Sequence, residues 1–203
     1  MKKKWLLACI TLSIFLIGCA MTGVTMSNIE QPKYDIISSY KKIELRQYRP
    51  MIIAEVEVAG KRKKAIKSGF RMLADYIFGN NTVQKKIAMT VPVQQQSNEK
   101  IAMTAPVQQQ EVNGVWKVNF VIPSEYRMID LPKPNNEQVK LKEIPAKKFV
   151  VVTFSGMNSD DNLQKHEAQL TEYIKAKNLQ TVGSLKYAFY NPPWTLPFMR
   201  RNE

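Results

Sequence analysis

Histidine is almost missing from this 203-residue sequence, in which His166 stands alone. A single imidazole cannot build a multi-histidine metal centre, and any Ser-His-Asp or Cys-His arrangement would have to rest on His166 itself. Cysteine is scarce too: Cys9 and Cys19 can neither form a disulfide framework nor fill a four-ligand zinc site. Eight glycines and eleven prolines are too few for a collagen-like or low-complexity chain. Acidic residues number 17 against 30 Lys and Arg, a net charge of +13 that favours anionic partners. No Gly-rich phosphate loop and no matched pair of carboxylates occurs. Most hydrolytic and metalloenzyme chemistry is thereby excluded, and no residue set points to a reaction. The 44% hydrophobic content and the length fit one domain with a full core.

Long apolar runs are absent as well. The longest, residues 5–17, covers 13 positions, short of the roughly 20 needed to span a bilayer. Preceded by Lys2, Lys3 and Lys4, it reads as the apolar core of a secretory signal. It ends in Leu16-Ile17-Gly18-Cys19, which resembles a bacterial lipobox. In that class of signals the peptide is cut before the cysteine, whose thiol takes the lipid. The competing reading is a buried cysteine in an apolar helix. The sequence therefore predicts a leader over 1–18, lipidation at Cys19, a flexible tether over 19–33 and a domain over 34–203. Ala20, where an aspartate would favour inner-membrane retention, points by the same resemblance to the outer membrane, facing the periplasm. Removing the leader lowers the basic count from 30 to 27 against 17 acidic residues, a net of about +10.

Hydrophobic periodicity gives the domain. Two strands meet at a turn at Arg49-Pro50, and in the second Ile52, Ala54, Val56 and Val58 alternate with Ile53, Glu55 and Glu57. A helix follows over 61–78, with Ile66, Phe70, Leu73 and Ile77 on one face and a stop at Gly79-Asn80-Asn81. The pattern returns 96 residues later. Val139 and Leu141 match Ile43 and Leu45, Val150, Val152 and Phe154 match Ala54, Val56 and Val58, and Gly156 matches Gly60. After one extra residue, Leu163, Leu170 and Ile174 match Ile66, Leu73 and Ile77, and Asp160-Asp161 reads as a helix start. Two similar α+β halves around one core follow from this.

A tighter repeat lies between the halves. Residues 86–96 recur as 100–110 with only Val91 changed, to Ala105. Each copy alternates like a strand and carries a proline, so a hairpin turning over 94–99 is the simplest expectation. Further strands are predicted over 116–123 and 184–190, with Asn191-Pro192-Pro193-Trp194 extended.

Four motifs, Lys100-Ile-Ala-Met-Thr-Ala-Pro-Val107, Glu44-Leu-Arg-Gln-Tyr-Arg-Pro50, Tyr190-Asn-Pro-Pro-Trp194 and Arg200-Arg-Asn-Glu203, resemble the SOUL haem-binding protein family over 34–203. The resemblance implies an α+β fold: a distorted antiparallel β-barrel of two pseudo-symmetric halves with two flanking helices. It further implies non-covalent haem or tetrapyrrole binding in a shallow apolar cleft beside the first helix, with no enzymatic step. Lys67 and Phe70 match positions lining that cleft, whereas Asp75 stands where a relative carries a basic residue. Haem needs an apolar face for the macrocycle and cations for two propionates. Phe70, Met72 and Leu73 could supply the first, and Lys63, Lys64, Lys67 and Arg71 the second; alternatively, the stripe is core and the lysines a solvated face. Gln47 replaces a histidine proposed as the iron ligand in vertebrate relatives. His166, Met89 and Met103 remain as ligand types, but each is more economically read as packing. The clusters Lys61-Arg62-Lys63-Lys64, Lys85-Lys86, Lys147-Lys148 and Arg200-Arg201 read as solubilising charge or attraction to anionic membrane. Nucleic-acid binding does not fit an exported lipoprotein. The expected partners are a tetrapyrrole and, through the anchor, a membrane; the alternative is a lipoprotein using the same barrel for another ligand or a protein partner.

Overall fold

The computed structural model describes residues 30–83, 86–87, 93–97 and 115–203. The leader, Cys19, the tether up to residue 29, Met89, Met103 and the second copy of the tight repeat lie outside the described residues.

Among the described residues, eight strands and two α-helices follow one another: β1 (Tyr34–Tyr40), β2 (Ile43–Tyr48), β3 (Met51–Ala59), α1 (Arg62–Ile77), β4 (Val93–Ser97), β5 (Val115–Val121), β6 (Lys140–Ile144), β7 (Lys147–Val152), α2 (Asp160–Ala176) and β8 (Lys186–Phe189). They form two antiparallel sheets, ordered β1-β2-β7 and β6-β3-β5-β4-β8. The α+β class, the two helices and the turn at Arg49-Pro50 agree with the sequence. β1, with its aromatic and β-branched residues, extends the first sheet beyond what the repeat indicated.

The internal repeat governs strand pairing. β2 does not pair with its chain neighbour β3 but crosses to β7, while β3 crosses to β6. Leu45 faces Val150; moving one partner forward and the other back by 96 residues gives Leu141 facing Ala54, which is also observed. Each half thus lends one strand to the other. Gly60 and Gly156, matched by the repeat, both adopt positive φ (118° and 109°) at the turn before a helix, a conformation that glycine tolerates without a Cβ clash.

The main core lies between α1 and the five-stranded sheet. Ala65, Leu73, Tyr76 and Ile77 face Ala54, Val56, Val118 and Phe120, all buried. Gly69 sits at the closest approach, where an added Cβ would lie 2.8 Å from Val118 Cγ2. The matching position in α2 is His166, and there a smaller cluster of Ile43, Val152 and Leu170 forms the core. Burial corrects the simple alternation read for β3. Ile53 and Glu55 are buried along with Ala54 and Val56, so both faces of this strand are covered.

Two further expectations are corrected. Residues 94–97 are strand rather than hairpin turn: β4 pairs with β5 and β8. Its ladder starts immediately after Pro92, which has no amide hydrogen to donate. The Asn191–Trp194 motif does not continue extended, because Thr195 N–H bonds Pro192 O at 3.0 Å and closes a turn. Among the described residues, no ladder closes the strands into a barrel. Instead residues 201–203 join the sheets at one edge. Asn202 exchanges backbone hydrogen bonds with Phe154 beyond β7 (2.8 and 2.9 Å), and Glu203 does the same with Ala188 on β8 (2.9 and 2.8 Å).

Side chains lock that joint. Glu203 is buried and accepts from Arg46 Nη1 (2.9 Å), Arg201 Nε (3.0 Å) and the Tyr190 hydroxyl (2.7 Å). Arg46 also donates to Glu44 (2.7 Å) and Thr153 (3.3 Å), and its guanidinium lies 4.3 Å from the Tyr34 ring centroid. Burial alone would lower the Arg46 pKa, but the Glu203 charge and these hydrogen bonds outweigh it and raise it. Arg200 and Arg201, read from sequence as surface charge, are structural: Arg200 Nε donates to Thr195 O at 2.8 Å.

Because the ladders cross between halves, cutting the chain at Asn135-Asn136 should leave neither piece with a cooperative unfolding transition of its own, as followed by circular dichroism in urea. Arg46→Ala should cost about 3–5 kcal/mol, the cost of leaving a buried partner uncompensated. Arg49→Ala, which breaks a 3.7 Å exposed pair with Asp35, should cost at most about 1 kcal/mol. Burial pushes the Tyr76 phenol up to about 12, and burial with Glu167 does the same at Tyr187. Both hydroxyls stay protonated in the folded chain at a pH where the unfolded chain, near its ordinary value of about 10, ionises. The melting temperature should therefore not respond to these two groups below about pH 10 and should fall between about pH 10 and 12, a decline lessened in Tyr76→Phe.

Candidate functional site

The sequence-predicted residues do gather on one surface. Lys63, Lys67 and Phe70 recur at helical spacing along the outward face of α1, with Lys64 and Arg71 beside them, and all five are exposed. Among the described residues, none of the four cations makes an ion pair. The Phe70 ring meets Phe120 edge-on, 5.1 Å between centroids and 69° between planes, leaving 38% of the residue open to solvent. Phe78, just past the helix end, is 61% exposed.

The helix terminus adds to the positive potential. The first turn of α1 carries no acid and Lys61 makes no side-chain cap, so the dipole's positive end lies among lysines. This is locally unfavourable and favours an incoming anion. α2 is built the other way, with Asp160 and Asp161 in its first turn and Lys175 in its last. Arg62 joins the two starts by donating to Asp160 Oδ1 through Nε (3.0 Å) and Nη2 (2.7 Å).

Other predicted contributors are elsewhere engaged. Leu73 is fully buried and Met72 packs on the core, so neither offers a free apolar face. Asp75 accepts from Asn80 Nδ2 at 2.5 Å. Gln47 donates to Tyr48 O at 3.3 Å. His166 stacks on Phe154 (4.2 Å, 17°), and its Nδ1 lies 3.2 Å from Gln169 Oε1. Among the described residues, no group of three metal-ligating His, Cys, Asp or Glu side chains occurs. The exposed cations and the Phe70 ring of α1 fit the anionic edge and one face of a porphyrin; among the described residues, no histidine or cysteine is on that surface.

Two features escaped the sequence reading. An 800 Å³ cleft opens where the β2–β3 and β6–β7 turns meet, lined among others by Lys33, Arg49, Met51, Tyr126 and Ile144. It is assembled from four separated segments, so no local pattern announces it. The second feature is polar and lies on the face of the five-stranded sheet away from α1. Glu55 and Asn119 are buried cross-strand partners there, and Lys142 Nζ donates to Glu55 at 2.6 Å. Lys186 Nζ stands 5.5 Å from the Phe149 ring centroid. Its pKa is lowered, first by desolvation and then by Lys147; because the residue is exposed, like charge is the firmer cause. Asn119 Oδ1 is buried with no hydrogen-bond partner among the described residues.

The motifs that carry the family resemblance converge away from α1. Arg46 and Tyr48, Tyr190, and Arg201 and Glu203 come from three of them, and all belong to the buried joint between the sheets. Their contacts hold the two sheets together.

Comparison with curated protein sequences gave no match. Among solved structures, the C-terminal domain of EcmrR is similar at 11% identity and a TM-score of 0.59, over 83% of this chain and 93% of that one. An uncharacterized conserved protein from Listeria innocua is similar at 12% identity and 0.52, over 81% and 91%. A structure described as a hydrolase from Listeria innocua gives 12% and 0.50, over 82% and 91%. At such identities the likeness shows the fold alone. The family model described as SOUL heme-binding protein matches residues 29–203, which takes in both sheets and both helices, and the chain belongs to that family.

Proposed function

We propose that this protein binds haem or a related tetrapyrrole non-covalently on the outward face of α1. It would act as a lipid-anchored carrier or buffer at the bacterial cell envelope, with no reaction of its own. The observation that carries the reading is Phe70, a partly exposed aromatic ring set among Lys63, Lys64, Lys67 and Arg71, none of them ion-paired among the described residues. The cations would hold the propionates and Phe70 would lie against the macrocycle. Bound haem would supply an iron centre; the chain's own part is to bind and orient. The anchor would be lipidated Cys19, in the outer membrane and facing the periplasm. The fold reading that accompanies this is a distorted barrel, with residues 201–203 linking the two sheets.

A second reading, a binder of another small ligand, is favoured by Asn119. A buried acceptor with no donor among the described residues costs about 1–3 kcal/mol, and a ligand N–H or O–H reaching it would remove that cost.

Burial of the ring face, at about 25 cal/mol per Å², is the main source of affinity, and each exposed propionate pair adds about 0–1 kcal/mol. Hemin titrated into the purified protein should thus bind near micromolar, about −8 kcal/mol. Metal-free protoporphyrin should bind about as well. Phe70→Asp with Lys67→Glu should weaken both at least about tenfold, or about 1.4 kcal/mol. His166→Ala should change neither. Loss of hemin binding in His166→Ala, with no porphyrin binding at all, would place the site elsewhere. For the anchor, Cys19→Ala should release the protein from membranes washed in high salt, as read by immunoblot of the fractions.

A further inference from the structure

The loop between β8 and residue 201 exposes four large apolar side chains within six residues, Trp194, Leu196, Phe198 and Met199. Trp194 and Phe198 are each 74% exposed, and Leu196, Met199 and the neighbouring Met157 about half. Patches of this kind on a soluble surface mark contact with a partner or a membrane.

The loop is nonetheless well held. Thr195 N–H bonds Pro192 O (3.0 Å), Met199 N–H bonds Leu196 O (2.9 Å), and Arg200 donates to Thr195 O and Pro193 O. Gly156 N–H bonds Pro197 O at 2.8 Å, which sets Met157 beside the loop. Several of the loop's backbone groups are thus satisfied internally while large apolar side chains are exposed, a combination suited to an apolar environment.

Two neighbours identify the occupant. Arg201, directly after the loop, donates to Gln31 Oε1 at 3.0 Å and to the Tyr34 hydroxyl at 3.4 Å. The chain leading from Cys19 therefore enters the domain beside the loop. The eleven Cα–Cα steps from Cys19 to Glu30 can reach at most roughly 40 Å, which limits how far a lipidated Cys19 holds this end from the bilayer. On the other side, Arg62 Nη2 donates to Asn158 O at 2.8 Å, placing Lys61-Arg62-Lys63-Lys64 next to Met157. Apolar tips flanked by cations match a bilayer with anionic headgroups.

We infer that Trp194, Leu196, Phe198, Met199 and Met157 form a membrane-dipping surface that seats the domain on the bilayer holding its anchor. The inference rests on the lipoprotein reading above. Seated this way, the domain holds one fixed face toward the lipid.

The test uses the full chain, processed in a bacterial host and reconstituted into vesicles of zwitterionic and anionic phospholipid with brominated acyl chains. Trp194 and the half-buried Trp116 are the tryptophans beyond the leader. Bromine should quench the emission, Trp194→Phe should remove the quenched component, and Leu196→Ser with Phe198→Ser should reduce it several-fold while the protein stays on the vesicles. Protein that floats with the vesicles but is not quenched overturns the inference and leaves the anchor standing; the patch is then covered by a second copy or a protein partner. Protein that does not float overturns the anchor and the inference together.

Discussion

One buried carboxylate determines whether this molecule has a single architecture. The Glu203 side chain is taken out of water between two sheets, and isolated there it would be strongly unfavourable. Arg46, Arg201 and Tyr190 surround it, while Glu44, Thr153 and Tyr48 satisfy the rest of the Arg46 guanidinium. A buried pair of this kind adds little net stability against an apolar equivalent, since desolvation offsets most of the attraction. Its effect is geometric. The charges are tolerable only when residues 201–203 lie between β7 and β8 in one register, so the network admits one way of joining the sheets. Strand exchange between halves then follows: with β2 on β7 and β3 on β6, neither half can leave without breaking a ladder.

The two halves repeat their backbone plan but not their surfaces. Gly69 lets α1 settle against Val118, so its inward face is consumed by core and its outward face is left to cations. At the equivalent position in α2, an imidazole stacks on Phe154, and the core beneath is smaller. Charge at the helix starts diverges likewise, basic in α1 and acidic in α2, and Arg62 ties the two together. The two halves thus share a frame while differing in the charge at their helix starts.

The surfaces that remain open have a common orientation. The first described residues, the Trp194 loop and the basic start of α1 are linked by hydrogen bonds through Arg201, Gly156 and Arg62. A ligand on α1 would therefore lie close to whatever this end of the domain rests on. If the proposed anchor, docking surface and binding face are real, their shared placement would suit the handling of an apolar ligand at a membrane.

Sequence alone determined what depends on local pattern or on composition. The 3.6-residue stripe of α1, the repeat at an offset of 96 residues and the glycines before each helix are regularities of the sequence itself, and each appears in the structure. Lone His166 and the uncompensated lysines of α1 were also readable. Tertiary structure alone decided the rest. Met72 and Leu73 looked available until packing claimed them, Arg200 and Arg201 looked like surface charge until they proved to be partners of buried groups, and residues 94–97 became strand because β5 and β8 were there to pair with them. Ile53, Glu55 and Asn119 are buried by elements far along the chain, and the cleft near Arg49 exists only where four segments meet. The division has a physical cause: helix and strand propensities act over a few residues, whereas burial, desolvation and ion pairing are set by whichever distant residues the fold brings into contact.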